Sequence, residues 1–183
     1  MPDTTPPARG TARTRLLAAA AELFYDEGIN TTGVEALAAK AGVTKATLYN
    51  NFRSKDELVV AYLRAKLEAT RASLAAHDPS GATPAKRVAI IFDTLATDIE
   101  AGRFDGCPFA KAAVEVPGNR AAMAVVREHH DAVVAHLTDI TADADVAETI
   151  AMIYDGAIIA AKATGTADPV VHAGQAAARL LAA

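Results

Sequence analysis

Residues 32–55, TGVEALAAKAGVTKATLYNNFRSK, constrain the fold more than any other part of the chain. Apolar residues recur at helical spacing on both sides of Gly42, which has no Cβ and tolerates a positive φ in a tight turn. Ala38 is small enough for two helices to cross closely, and Leu48 anchors the second of them. The pattern predicts a helix-turn-helix whose first helix lies at about 33–40.

Capping side chains mark three separate helix starts in this stretch. Thr32 with Glu35, and Ser54 with Glu57, have the spacing of a capping box. Thr44 is placed to cap the second helix of the motif. Three starts so close together predict short, separately phased helices rather than one long rod.

The outer face of the second helix is polar, and its donors and acceptors suit base edges and phosphates. A helical hairpin in an ordinary bundle is the alternative, but such a hairpin does not explain so polar a face. The residues concerned are Thr44, Lys45, Thr47, Tyr49, Asn50 and Asn51.

With the preceding AELFYDEGINTT, the segment VEALAAKAGVTKATLYNNFRSKDELVVAYL resembles the DNA-binding domain of the TetR family of bacterial transcriptional regulators. The resemblance covers roughly residues 11–66 and is most specific in GVTKATLYNNFRSKDEL. It implies a homodimer that binds palindromic double-stranded operator DNA, usually represses, and is released by a small-molecule effector of unknown identity.

The resemblance also suggests roles within the second helix. Lys45 lies near its N-terminus and is the leading candidate for a base contact, because lysine reaches the acceptors of guanine. Tyr49 resembles the family's phosphate-binding tyrosine. Asn50 and Asn51 stand where family members often have a histidine or an aromatic residue, so their contacts stay open.

The edges of the motif offer candidates for phosphate contacts. Lys55 begins the next helix, whose dipole favours an anion, and Thr31 or Thr32 occupies the other edge. For each of these residues the alternative is a solvated polar side chain. The same two readings apply to three arginines near the start of the first helix: Arg9, Arg13 and Arg15.

Composition and charge predict an all-α protein in two main parts. Alanine is abundant and apolar residues recur at three and four, as in helices. Residues 1–66 hold nine basic and seven acidic residues, or +2, whereas residues 67–183 hold nine and fifteen, or −6. This imbalance favours DNA docking through the smaller part. The predicted divisions are a flexible N-terminus (1–10), a helix-turn-helix domain (11–55) and an effector-binding and dimerisation domain (56–183).

Several classes of protein fit the sequence poorly. The longest apolar run is shorter than the ~20 residues of a membrane span, and the first ten residues have no apolar segment suited to a signal peptide. The single cysteine rules out an internal disulfide and fits a reducing cytoplasm. No nucleophile motif, phosphate loop or paired-acid signature indicates an enzyme. We therefore expect a cytoplasmic protein that is not an enzyme and has no cofactor.

The larger part is predicted to contain helices at roughly 84–101, 106–114, 118–140, 143–164 and 168–182. Side chains between them are candidates for an effector pocket, and an ordinary core is the alternative. An aromatic content of 5% indicates an aliphatic pocket for a small or apolar effector. The candidates are Ile91, Phe92, Leu95, Phe104, Cys107, Phe109, Val114, Met123, Val126 and His130.

Two further possibilities concern sulfur and metal chemistry. GCPFAKAAVEV (106–116) resembles a motif that begins a helix beside the ligand cavity in a subgroup of the family. A helix N-terminus lowers a thiol pKa, so Cys107 is a possible redox or electrophile sensor, and a small buried residue is the alternative. His129, His130 and His136 do not align on one helical face, so no metal site is expected.

The segment 150–165, IAMIYDGAIIAAKATG, is apolar almost all round, which is unusual for a surface helix of a monomer. Gly156 and Ala160 are small enough for close helix approach. Together with the last helix, this segment is predicted to form a four-helix bundle with a second copy, as in the family. Deep burial within one chain is the alternative.

Overall fold

In a computed structural model, residues 10–76, 79, 81–104 and 106–181 are described. This part of the chain is all-α, as predicted, with no strand. Its helices are α1 (Ala12–Asp26), α2 (Val34–Lys40), α3 (Lys45–Asn51), α4 (Lys55–Ala76), α5 (Pro84–Glu100), α6 (Pro108–Glu115), α7 (Arg120–Thr141), α8 (Ala144–Thr164) and α9 (Asp168–Leu180).

The helices predicted at 33–40 and in the larger part agree with the structure to within about two residues at each end, and the first helix begins at Ala12. The predicted flexible N-terminus lies outside the described residues apart from Gly10. Helix starts at α1, α3, α5 and α8 are each fixed by a side chain that accepts a first-turn N–H. The four capping residues are Thr11, Thr44, Thr83 and Asp143.

One of the two predicted capping boxes is wrong. Gly33, not Thr32, is the N-cap of α2, and no side chain caps this helix. Half of the other box is present, because Ser54 Oγ accepts from the Glu57 backbone N–H at 3.1 Å. The Glu57 carboxylate accepts from the backbone N–H of Arg53 at 2.9 Å rather than from that of Ser54, and the two bonds together fix the start of α4.

The chain divides into two compact units. Unit 1 comprises residues up to Lys66 together with Pro108–Val126, and unit 2 comprises Leu67–Cys107 together with the residues from Arg127 onward. These units are defined by packing, and the division at residue 55 into DNA-binding and effector-binding domains stays a prediction. Unit 1 includes α6 and the beginning of α7 because they pack with the N-terminal helices.

The core of unit 1 holds α1, α2, α3 and the start of α4 together. The rings of Phe24 and Tyr62 meet edge to face, with centroids 5.5 Å apart, an arrangement that aromatic pairs favour. Burying these large side chains removes apolar surface from water and fixes the helix-turn-helix on α1. The other fully buried side chains of this core include Leu16, Leu37, Leu48, Phe52 and Leu58.

The core of unit 2 is built mainly by α5, α8 and α9 around Phe92, which is 1% exposed. Its ring lies edge to face with Tyr154, centroids 5.5 Å apart. Gly174 on α9 allows a close approach, because a Cβ there would lie 2.8 Å from Phe92 Cβ. Burial raises the pKa of the Tyr154 hydroxyl, which therefore stays protonated.

No helix within the described ranges has both the length and the apolar character needed to cross a lipid bilayer. The same residues contain no group of three or more His, Cys, Asp or Glu side chains placed to hold a metal ion. Burial lowers the pKa of His129 to about 4.

Candidate nucleic-acid interface

A tight turn between α2 and α3 sets the geometry of the site. Gly42 has φ 61°, which a residue with a Cβ rarely adopts. The N–H of Val43 donates to the Ala38 carbonyl at 2.9 Å and closes the turn. Leu37 and Leu48 are both fully buried, so the opposite face of α3 is directed outward.

The outward face of α3 presents three side chains at its surface. Lys45 and Tyr49 are one helical turn apart and therefore neighbours on this face. The Tyr49 side chain is 43% exposed despite its size, and Asn50 beside it is also exposed. A cation and a phenol thus lie on one face of α3, and an amide is exposed at the next residue along the chain.

The other polar residues of α3 are occupied within the helix. Thr44 Oγ1 accepts from the Thr47 backbone N–H at 3.1 Å, and the two hydroxyls lie 2.9 Å apart. Asn51 Nδ2 donates to the Thr47 carbonyl at 2.8 Å. These residues shape the ends of α3, and any contact of theirs to DNA stays a prediction.

Lys45 has an acidic partner in the other helix of the motif. Its Nζ donates to Glu35 Oε1 at 2.5 Å, across 10 residues of sequence. This hydrogen bond lowers the pKa of Glu35 and raises that of Lys45. Sequence analysis assigned Glu35 to a cap and so missed its position beside the leading candidate for base contact.

The residues predicted to bind phosphates at the two edges of the motif differ in exposure. Thr32 is 1% exposed and its hydroxyl donates to the Gly28 carbonyl at 2.6 Å, so its side chain does not fit the predicted phosphate contact. Thr31 is exposed and stays a candidate. Lys55 is half-buried, and its Nζ lies 3.5 Å from the Asn30 carbonyl oxygen.

Arg13 contacts the end of α3. Its Nη1 donates to the Asn51 carbonyl at 3.0 Å, one of the carbonyls that a helix leaves without an internal partner. The guanidinium also lies 4.2 Å from the centroid of the Phe52 ring, a cation–π geometry. Arg13 therefore ties α1 to the C-terminus of α3. The partners are 38 positions apart in the chain, so no local sequence pattern indicated this contact.

Replacing Arg13 with glutamine is expected to weaken operator binding because α3 loses this tether. The slope of log affinity against log salt concentration should change little, since that slope counts neutralised phosphates. Lys40→Gln, which breaks an exposed pair with Glu22, is the matched control and should leave affinity near that of the wild type. If Arg13 instead bound a phosphate, the slope would fall by about 0.9 per contact.

Helix α6 holds the turn between α1 and α2 within unit 1. The Glu115 carboxylate accepts from the Asn30 backbone N–H at 2.8 Å, and Asn30 Nδ2 donates to the Glu115 carbonyl at 2.6 Å. Lys111 Nζ donates to the Tyr25 carbonyl at 2.5 Å. These contacts join segments 85 residues apart, so no local pattern could predict them.

The predicted pocket residues fall into both units. In unit 2, Phe92 and Leu95 are buried in the main apolar cluster, and Ile91, Phe104 and Cys107 pack against it. His130 lies at the surface, with Nε2 3.3 Å from Glu148 Oε1. Apart from His130, these residues belong to or pack against the core of unit 2, which fits the alternative that they are ordinary core residues.

In unit 1, Phe109 is buried and Met123 and Val126 are half-buried. Val114 is 81% exposed, which does not fit a residue lining an enclosed pocket, and we withdraw it. A groove of about 440 Å³ in unit 2 contains none of the predicted pocket residues. Its lining residues are Ser73, Ile90, Asp93, Thr94, Thr97, Asp98 and Arg103.

The turn geometry and the exposed polar face of α3 define a helix-turn-helix domain, the class of fold in which the second helix enters the major groove. Residues 16–62 match the model of the bacterial regulatory proteins of the tetR family. The N-terminal domain of the chain therefore belongs to the tetR family of bacterial regulatory proteins.

Curated relatives resemble the N-terminal region. The chain is 45% identical over 56 residues to the HTH-type transcriptional activator FasR of Mycolicibacterium smegmatis, covering 31% of this chain and 26% of that protein. It is 38% identical over 60 residues to the repressor KstR2 of the same species, covering 33% and 29%. The similarity thus spans less than a third of these two relatives.

Solved structures resemble nearly the whole chain. A TetR-family transcriptional regulator from Streptomyces coelicolor has a TM-score of 0.84 at 28% identity, covering 94% of this chain and 96% of that one. The reduced form of E. coli NemR has a TM-score of 0.83 at 22% identity, covering 92% and 95%. The second likeness concerns the fold alone.

Proposed function

We propose that the protein is a homodimeric, cytoplasmic repressor that binds a palindromic operator and is released by a small molecule. The observation that carries this proposal is the exposed surface of α3, where Lys45 and Tyr49 share one face, Asn50 is also exposed, and Leu48 is buried. In a helix-turn-helix, this is the face that meets base edges.

In this proposal some side chains contact bases and others contact phosphates, according to their chemistry. Lys45, at the N-terminus of α3, donates to guanine O6 or N7 in the major groove. The Tyr49 hydroxyl and the Lys55 ammonium hold phosphates, which fixes orientation but carries no sequence information. Thr31 contacts a phosphate at the opposite edge of the helix-turn-helix. The contacts of Asn50 and Asn51 depend on the base pairs that they meet.

The direction of regulation is proposed from the relatives, and the type of effector from the composition of unit 2. The curated relatives are named as an activator in one case and a repressor in the other. We favour repression as the family's usual mode, and an aliphatic effector site because the apolar cluster of unit 2 is rich in alanine and branched residues. A DNA-binding protein without ligand response is the alternative.

Cys107 is the basis of a second alternative, a thiol sensor of redox state or electrophiles. Its side chain is half-buried and packs against the apolar cluster of unit 2. This position favours the role of a small packing residue. A Cys107→Ser variant that keeps the full response to an oxidant would dismiss the sensor.

Dimerisation is supported by an exposed stripe on α8. Met152 and Ile159 are 60% and 62% exposed and lie seven residues apart on one face. Between them, Gly156 has nothing within 4 Å of where its Cβ would be, so another helix can approach closely. On α9, Val171 is also 42% exposed. Such apolar surface is typical of a helix that packs on a second copy.

Replacing Ile159 with glutamate is expected to convert the dimer to a monomer, because a charge in an apolar helix interface has no partner. Sedimentation velocity measures the change in mass directly. Val114→Glu, at an exposed apolar position on α6, is the matched control and should remain dimeric. An Ile159→Glu protein that sediments as a dimer would place the interface elsewhere.

The proposed function is tested by selecting bound duplexes from random DNA with the purified protein. We expect an enriched palindrome whose half-sites are about one helical turn, ~34 Å, apart. A folded dimer that enriches no sequence would contradict the proposal.

A further inference from the structure

Glu35 is an acidic side chain on a surface proposed to meet a polyanion. It lies in the first turn of α2, and its side chain is 71% exposed. Its carboxylate oxygen lies 2.5 Å from Lys45 Nζ, so the pair bridges the two helices of the motif. The ammonium group proposed to read a base therefore has an anionic partner within the motif.

The number of donors on lysine determines what this pair allows. An ammonium group carries three N–H donors. One donor can stay with Glu35 while the others reach the acceptors of a guanine. A phosphate oxygen, by contrast, would have to approach Lys45 against the negative charge of the Glu35 carboxylate.

From this geometry we infer that Glu35 is a specificity-determining residue. By holding the Lys45 ammonium away from phosphates, Glu35 keeps this lysine from adding to sequence-independent binding and directs it toward base edges. The inference rests on the proposed function, since it requires that α3 enters the major groove. Phosphate contacts supply essentially all of non-specific affinity, so a restrained lysine improves the ratio of specific to non-specific affinity.

The test compares Glu35→Gln with a matched control that the chain provides. Glu22→Gln also removes the carboxylate of an exposed pair, in which Lys40 Nζ lies 2.5 Å from Glu22 Oε2. Lys40 belongs to α2 and not to α3. The Glu22→Gln control therefore changes the net charge by the same amount as Glu35→Gln but leaves the Glu35–Lys45 pair intact. Both glutamates are exposed, so both variants are expected to fold.

Affinities for the selected operator and for a scrambled duplex of equal length are measured by fluorescence anisotropy at several salt concentrations. For Glu35→Gln we expect tighter binding to the scrambled duplex and a ratio of operator to scrambled affinity that falls by about threefold to tenfold. The salt slope on the scrambled duplex should steepen by about 1 per subunit, because Lys45 then neutralises a phosphate. Glu22→Gln should keep the wild-type ratio.

Equal tightening on both duplexes would overturn the inference, because Glu35 would then only repel the DNA backbone. An unchanged or higher ratio would overturn it as well. Failure of the proposed function looks different: the wild-type protein would itself fail to distinguish the operator from the scrambled duplex.

Discussion

A protein with both Lys45 and Tyr49 replaced by alanine is expected to lose operator binding by on the order of 100-fold or more. Each substitution removes one proposed contact, and a dimer presents both at two half-sites. Anisotropy titration of the selected operator measures the loss. The two side chains lie on the outer face of α3, so the variant should keep the helical signal and the mass of the wild type.

A control variant makes this prediction specific. Lys40→Ala removes an exposed lysine from α2 instead of α3 and should bind nearly as well as the wild type. A folded Lys45→Ala/Tyr49→Ala dimer with wild-type affinity would mean that α3 does not read the operator.

Replacing Phe92 with alanine is expected to lower the free energy of unfolding by about 3–5 kcal/mol, the usual cost of removing a buried phenylalanine. Phe92 is 1% exposed and contacts both the Tyr154 ring and Gly174. Its loss leaves a cavity beside Gly174, where α5 and α9 pack closely. Urea unfolding followed by far-UV circular dichroism measures the change.

Val114→Ala serves as the control for this stability measurement. Val114 is 81% exposed, and surface substitutions usually stay within about 0.5 kcal/mol. A Phe92→Ala protein that loses less than about 1 kcal/mol would show that the α5–α9 packing contributes little to the stability of unit 2.

Local sequence patterns predicted the helix-turn-helix well because its determinants lie close together in the chain. Gly42 has the left-handed conformation that the turn requires, and Thr44 caps α3 as its position indicated. Apolar periodicity also located the long helices of unit 2, since each needs a continuous buried face. These features depend on neighbours within one or two helical turns.

The features that the sequence did not reveal depend on distant partners. Arg13 contacts Asn51 across 38 residues, and Asn30 contacts Glu115 across 85. Polarity alone could not show whether Arg13 faces DNA or caps a helix. Thr32 is a different case, because its partner is local: its hydroxyl donates to the Gly28 carbonyl, four residues earlier in the chain, and does not cap α2.

Prediction of the effector pocket was the weakest, for a physical reason. Apolar residues that line a pocket and apolar residues that fill a core follow the same helical periodicity. Phe92 and Leu95 are core residues in unit 2, whereas Val114 is exposed. Only packing separates these cases, and packing is set by the arrangement of whole helices.

The most direct test of the central claim is to select DNA from random duplexes with the wild-type protein and with Lys45→Ala, side by side. If Lys45 contacts guanine, both proteins should select a palindrome. In the Lys45→Ala selection, the preference for guanine should be lost at one symmetric position in each half-site. Identical base preferences for the two proteins would contradict the account, because Lys45 would then not read the operator.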